Sequence, residues 1–141
     1  MTAPATSAAV PTARSLRGPA VAAGAGLAAL VLLRLRDPHD AGSYGACPFL
    51  SVTGLPCPGC GGLRALDELA GGDVVAAISS NALVVALAAA VAVVWTGWTI
   101  GRIRGRMPVI SPGAGTLLLV VPVIAAFGIL RVTPWGSWLA P

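Results

Sequence analysis

Residues 82–95 read ALVVALAAAVAVVW, an unbroken apolar run, and no charged side chain occurs from Val74 to Gly101, a stretch of 28 residues. A helix over that stretch has no polar face to turn toward water. At 1.5 Å per residue it is about 42 Å long, more than the hydrocarbon core of a bilayer requires. Two further runs are free of charge, residues 18–33 and residues 107–130. The composition agrees with a membrane solvent. The chain has 141 residues, 56% of them apolar and 10% charged, with a mean hydropathy of +0.85. Soluble domains carry about 25% charged residues, and disordered chains are poor in apolar ones. The expected fold is an all-α integral membrane protein with about three transmembrane helices, near 18–35, 76–101 and 112–132. A tail covers residues 1–17 and is expected to be disordered, and residues 18–141 form a single membrane domain.

The span ends carry their own signals. Pro19 suits a first helical turn, where its missing N–H is not needed. Ser111 and Pro112 suit the cap and first position of the third span. Pro122 removes one backbone hydrogen bond from the middle of that span and is expected to kink it. A cleaved signal peptide competes with the first span, but Arg34-Leu35-Arg36-Asp37-Pro38 offers no small-x-small cleavage pattern, which favours a retained anchor. Trp95, Trp98, Trp135 and Trp138 fall near span ends, where indole rings anchor at the membrane interface. Gly24 and Gly26 suggest close helix packing.

All nine basic residues are arginines, and they flank apolar runs. That is membrane-flanking charge and not a stripe that tracks phosphates, so nucleic acid is not an expected partner. With three spans, Arg14, Arg17, Arg102, Arg104 and Arg106 share one side, and Arg34, Arg36, Arg64 and Arg131 share the other with all five acidic residues. The Arg102–Arg106 cluster adjoins the second span. It is therefore placed in the cytoplasm with the N-terminus, and the long first loop is extracytoplasmic.

That loop, about residues 36–73, holds all three cysteines and the single histidine. Thr53-Gly54 and Pro58-Gly59 are turn signals bracketing an extended or strand-like piece. Leu63, Leu66, Leu69 and Ala70 recur at helical spacing, so a short interfacial helix is expected over about 61–70, ended by Gly71-Gly72. Asp73 is placed to cap the second span.

Several readings of Cys47, Cys57 and Cys60 stand side by side. Cys57-Pro58-Gly59-Cys60 is a Cys-x-x-Cys pair, and Cys60 lies where a helix N-terminus would lower a thiol pKa, as redox exchange requires. Redox pairs of this kind normally sit on a sheet-and-helix scaffold for which the loop has no room. The same pair is a half-site for zinc or another thiophilic metal, with Cys47 as a third ligand and His39 or Asp40 as a fourth only by a long return of the chain. The plainest reading is structural, with buried thiols or one disulfide among three possible pairings. Arg64 is read as a helix-surface ion-pair partner of Asp67 and Glu68, or as an anion site with the amides of Gly61 and Gly62. Asn81, at the mouth of an apolar helix, needs a partner if buried, and the loop backbone or Arg64 are candidates. Together Arg64, Asp73 and Asn81 are expected to tie the loop onto the second span. His39 reads as a solvated loop residue.

Cys47-Pro48, Thr53-Gly54, Cys57-Pro58-Gly59-Cys60-Gly61, Arg64-Ala65, Gly72-Asp73 and Asn81 together resemble a family of small bacterial membrane proteins catalogued as a domain of unknown function. The resemblance covers roughly residues 45–100. It departs at Gly62-Leu63, where members carry a bulkier residue followed by Thr or Gln. It implies a location in the bacterial cell membrane and supplies no activity.

No nucleophile elbow, phosphate loop or paired histidines occur, and no charge lies inside a span to mark a transport path. The expectation is an accessory or structural protein rather than an enzyme, its cysteine loop binding a membrane-protein partner or a second copy in the bilayer. Thiol redox or metal handling through Cys57 and Cys60 is the alternative.

Overall fold

The computed structural model describes residues 13–40, 42–45, 47–105, 113–136 and 138. Among them the chain is all-helical: α1 (Ala13–Leu35), α2 (Pro48–Thr53), α3 (Gly62–Ala70), α4 (Val74–Ile103) and α5 (Ala114–Arg131). Two helices are long and apolar enough to cross a membrane, Leu16–Leu35 within α1 and Val74–Ile103. Their apolar side chains point outward, as at Val93, which is 71% exposed, and those of α5 do the same, as at Leu118, 74% exposed. The covered apolar residues among those described are few: Leu33, Ala65 and Ala77.

Helix α1 starts at Ala13, so residues 13–17 are helical rather than tail, and Pro19 lies inside the helix instead of in its first turn. The rest of the expected tail, residues 1–12, lies outside the described residues, as do Ser111 and Pro112, and α5 is described from Ala114. Helices α1 and α4 pack as an antiparallel pair. The Trp95 indole donates to the Pro19 carbonyl at 3.2 Å. A Cβ on Gly18 would stand 3.1 Å from the Trp98 ring, so glycine there sets how closely the helices approach. Gly24 and Gly26 make no such approach within the described chain.

The loop is more helical than its turn signals suggest. Pro48 opens α2, and the Ser51 and Thr53 hydroxyls donate back to the carbonyls of Cys47 and Phe49. Gly54 closes α2 in the left-handed conformation, φ 70°, donating to Leu50 O. The segment expected as extended or strand-like forms no strand. Helix α3 lies against α4, where Gly62 leaves only 3.1 Å for a Cβ facing Val84. At the other end of α3, Arg34 of α1 donates to Asp67 O and pairs with its carboxylate at 3.1 Å.

Helix α5 runs unbroken through Pro122, and the backbone break falls in α4 at Asn81, φ −165° and ψ 94°. Helix α4 is therefore two helices joined at a kink. Asp73 Oδ1 caps the first by accepting from Ala76 N–H at 2.9 Å, and Asn81 Oδ1 caps the second by accepting from Val84 N–H at 3.0 Å. In an unbroken helix Val84 N–H would bond to the Ser80 carbonyl. The break frees that carbonyl for another donor.

Candidate metal centre

The three cysteines come from two segments and meet. Cys47 sits immediately before α2, whose reversal of the chain brings it back toward the Cys57–Cys60 turn. The Cys57–Cys60 sulfurs are 3.0 Å apart, the Cys47–Cys57 sulfurs 3.5 Å, and all three lie within 4.8 Å of one another. The three are free thiols in this structure, converging on one another. Two successive turns set the geometry: Cys60 N–H donates to Cys57 O at 3.1 Å and Gly62 N–H to Gly59 O at 3.0 Å. Gly61 then takes φ 75°, where a side chain would be strained.

The thiols differ. Burial, with the Cys57 side chain beside it, pushes the Cys60 thiol up to about 11. The lowered value expected from a helix N-terminus does not arise, because burial outweighs the bond that the sulfur accepts from Cys57 N–H at 3.2 Å, which by itself favours the thiolate. Cys47 is the thiol held below its ordinary range, first by the backbone amide of Leu50 and then by the Cys57 thiol.

Beneath the cluster lies a polar floor of backbone carbonyls. Asn81 is fully buried, and its Nδ2 donates to Pro58 O at 2.9 Å and Cys60 O at 3.0 Å. Arg131, at the end of α5 and 2% exposed, donates from Nη1 to Cys57 O at 3.0 Å and Cys60 O at 2.9 Å. Its Nη2 takes the Ser80 carbonyl, at 3.3 Å, that the Asn81 break released. The Phe127 ring lies 5.4 Å from the guanidinium, and Gly128 leaves 2.9 Å for a Cβ against Pro58, so α5 meets the turn closely. In the sequence Arg131 reads only as a span-end arginine. One signal points further: with three spans, it falls on the same side of the membrane as the cysteines.

The other sequence-predicted residues are placed nearby but not in the cluster. Arg64 Nε donates to Pro38 O at 3.2 Å, tying α3 to the turn after α1 and not to Asn81. Asp73 acts as the cap described above. His39 is not simply solvated. It bridges Asp37 at 3.0 Å and Glu68 at 3.2 Å, which raise its pKa, Glu68 foremost. So engaged, it is not the fourth ligand, and among the described residues the ligand-distance group is Cys47, Cys57 and Cys60 alone.

The three cysteines lie close enough to hold a metal ion. Three thiolates around a divalent ion carry a net charge of −1, and the Arg131 guanidinium supplies the opposite charge through the turn's carbonyls. The amide-to-sulfur bond from Cys57 to Cys60 is the kind of outer contact that orients a thiolate ligand. No curated protein and no solved structure matches the chain. Residues 47–95, from the first cysteine through most of α4 and about a third of the chain, match the family described as a protein of unknown function, DUF2752.

Proposed function

We propose that this chain is a small integral membrane protein whose loop holds zinc or another thiophilic ion through Cys47, Cys57 and Cys60, in an accessory role rather than as an enzyme. One observation carries the reading: three sulfurs from two segments lie within 4.8 Å of one another. Thiolate–zinc bonds of about 2.3 Å place neighbouring sulfurs at roughly 3.8 Å in a tetrahedral site, so small shifts suffice. The membrane frame draws support from α1 and α4, and from α5, whose 18 residues reach about 27 Å. In this frame α1, α4 and α5 all span, the N-terminus is cytoplasmic and the loop extracytoplasmic, in a bacterial cell membrane. The outward apolar faces of the helices meet lipid, a second copy or another membrane protein.

A second reading rests on the depressed Cys47 thiol. Its thiolate could attack a partner's disulfide, expelling one partner thiolate. Cys57, 3.5 Å away, would then displace the other and close a Cys47–Cys57 disulfide.

A membrane-impermeant maleimide on intact cells separates these readings. The metal reading expects labelling to rise several-fold after a chelator strips the ion. Labelling that needs a reductant supports exchange. Equal labelling under all conditions removes the metal centre, and labelling only after lysis moves the loop to the cytoplasm.

A further inference from the structure

Beside the sulfur cluster is a cavity of about 540 Å³, lined by Cys47 and Cys60 together with Arg64, Asp40, Ser43 and the glycine backbone of the Cys57–Gly62 turn. Its size is that of a small-molecule site. Two features define what it accepts. The described residues bring three sulfurs together and no fourth ligand, whereas a tetrahedral thiophilic ion takes four. Two of those cysteines line the cavity, so the open position of a bound ion can face it too. Arg64, in the same wall, is fixed by its Nε bond to Pro38 O, and among the described residues its terminal nitrogens make no hydrogen bond. A guanidinium presented in this way matches a carboxylate in bidentate fashion. Asp40, also in the wall, disfavours a second carboxylate.

We propose that the cavity binds a small thiol bearing a single carboxylate, whose sulfur completes the coordination of the ion and whose carboxylate rests on Arg64. The proposal builds on the three-thiol reading. Binding forms one metal–sulfur bond and releases the thiol proton to solvent or the water it displaces, with no change in oxidation state.

Cobalt(II) reports thiolate number through its sulfur-to-metal charge-transfer absorption. The full chain in detergent, loaded with cobalt, is titrated with 3-mercaptopropionate, with 2-mercaptoethanol and with propionate. Passing from three thiolates to four, the absorption is expected to rise by about one third with both thiols and not with propionate. The carboxylate thiol should bind roughly tenfold more tightly than 2-mercaptoethanol, a difference that Arg64→Gln abolishes. Should Arg64→Gln fail to fold, the ratio between the two thiols on the unaltered protein decides. Equal affinities, an unchanged spectrum, or loss of cobalt to the added thiol overturns the proposal while the cobalt spectrum of the three-thiol protein still stands. Cobalt that never binds overturns the three-thiol reading and this proposal with it.

Discussion

Replacing Arg131 with Met is expected to destabilise the protein by about 3 kcal/mol, because it removes charged donors from buried carbonyls and leaves those acceptors without that partner. The side chain joins three pieces of chain: α5, the Cys57–Cys60 turn and the break in α4. If that loss falls on the turn, zinc affinity drops by up to about a hundredfold. Arg131→Lys should recover only part of both effects, since an ammonium cannot reproduce the planar fork that reaches Cys57 O, Cys60 O and Ser80 O together. Thermal unfolding in detergent, followed by tryptophan fluorescence, and zinc titration check both outcomes. A Met variant that melts and binds zinc like the unaltered chain would remove Arg131 from the account.

The second large effect is expected at Asn81. Its amide does two things at once: Oδ1 caps the apolar part of α4 at Val84, and Nδ2 holds the carbonyls of Pro58 and Cys60. Asn81→Ala loses both, a cost of about 2–3 kcal/mol in the same unfolding measurement. Asn81→Asp divides the roles. The carboxylate still accepts from Val84 N–H, so the break in α4 persists, but it cannot donate and repels the two loop carbonyls. The Asp variant should therefore keep its helix content while its three thiols react faster with alkylating reagent in the metal-free protein. Equal thiol reactivity in the Asp variant and the unaltered chain would mean that Asn81 serves only as a cap.

These two residues differ in how far their roles can be read from residue type and position. Asn81 stands out in the sequence because a primary amide at the mouth of an apolar helix must find partners, and the loop backbone is within its reach. Asp73 as a cap and α3 over Gly62–Ala70 follow from turn chemistry and helical spacing in the same way. Arg131 does not stand out, because its partners are backbone carbonyls exposed by a turn and by a helix break, and neither leaves a mark on residue type. The meeting of the cysteines is hidden for a similar reason. Nine residues separate Cys47 from Cys57, and whether they extend or reverse depends on α2, a helix too short for periodicity to reveal. The Cys60 thiol departs from expectation because sequence gives a position near a helix start but not the burial that opposes its ionisation.

Structure also corrects the role of Arg64. Spacing pairs it with Asp67 and Glu68, yet Asp67 is taken by Arg34 and Glu68 by His39. The pairings reach α3 from the end of α1 and from the turn after it, so they depend on how α1 packs and not on the sequence of α3. The result is a loop held from below by Asn81 and Arg131 and from the side by the α1–α3 ion pairs, with its sulfurs facing one another.

The most direct measurement is X-ray absorption at the zinc edge on the full chain, purified in thiol-free detergent and loaded with one equivalent of zinc. A shell of three sulfurs at about 2.3 Å with one lighter oxygen or nitrogen neighbour is expected, and loss of the sulfur shell in Cys57→Ser/Cys60→Ser. A shell of oxygen and nitrogen alone, or a protein that retains no zinc, would contradict it.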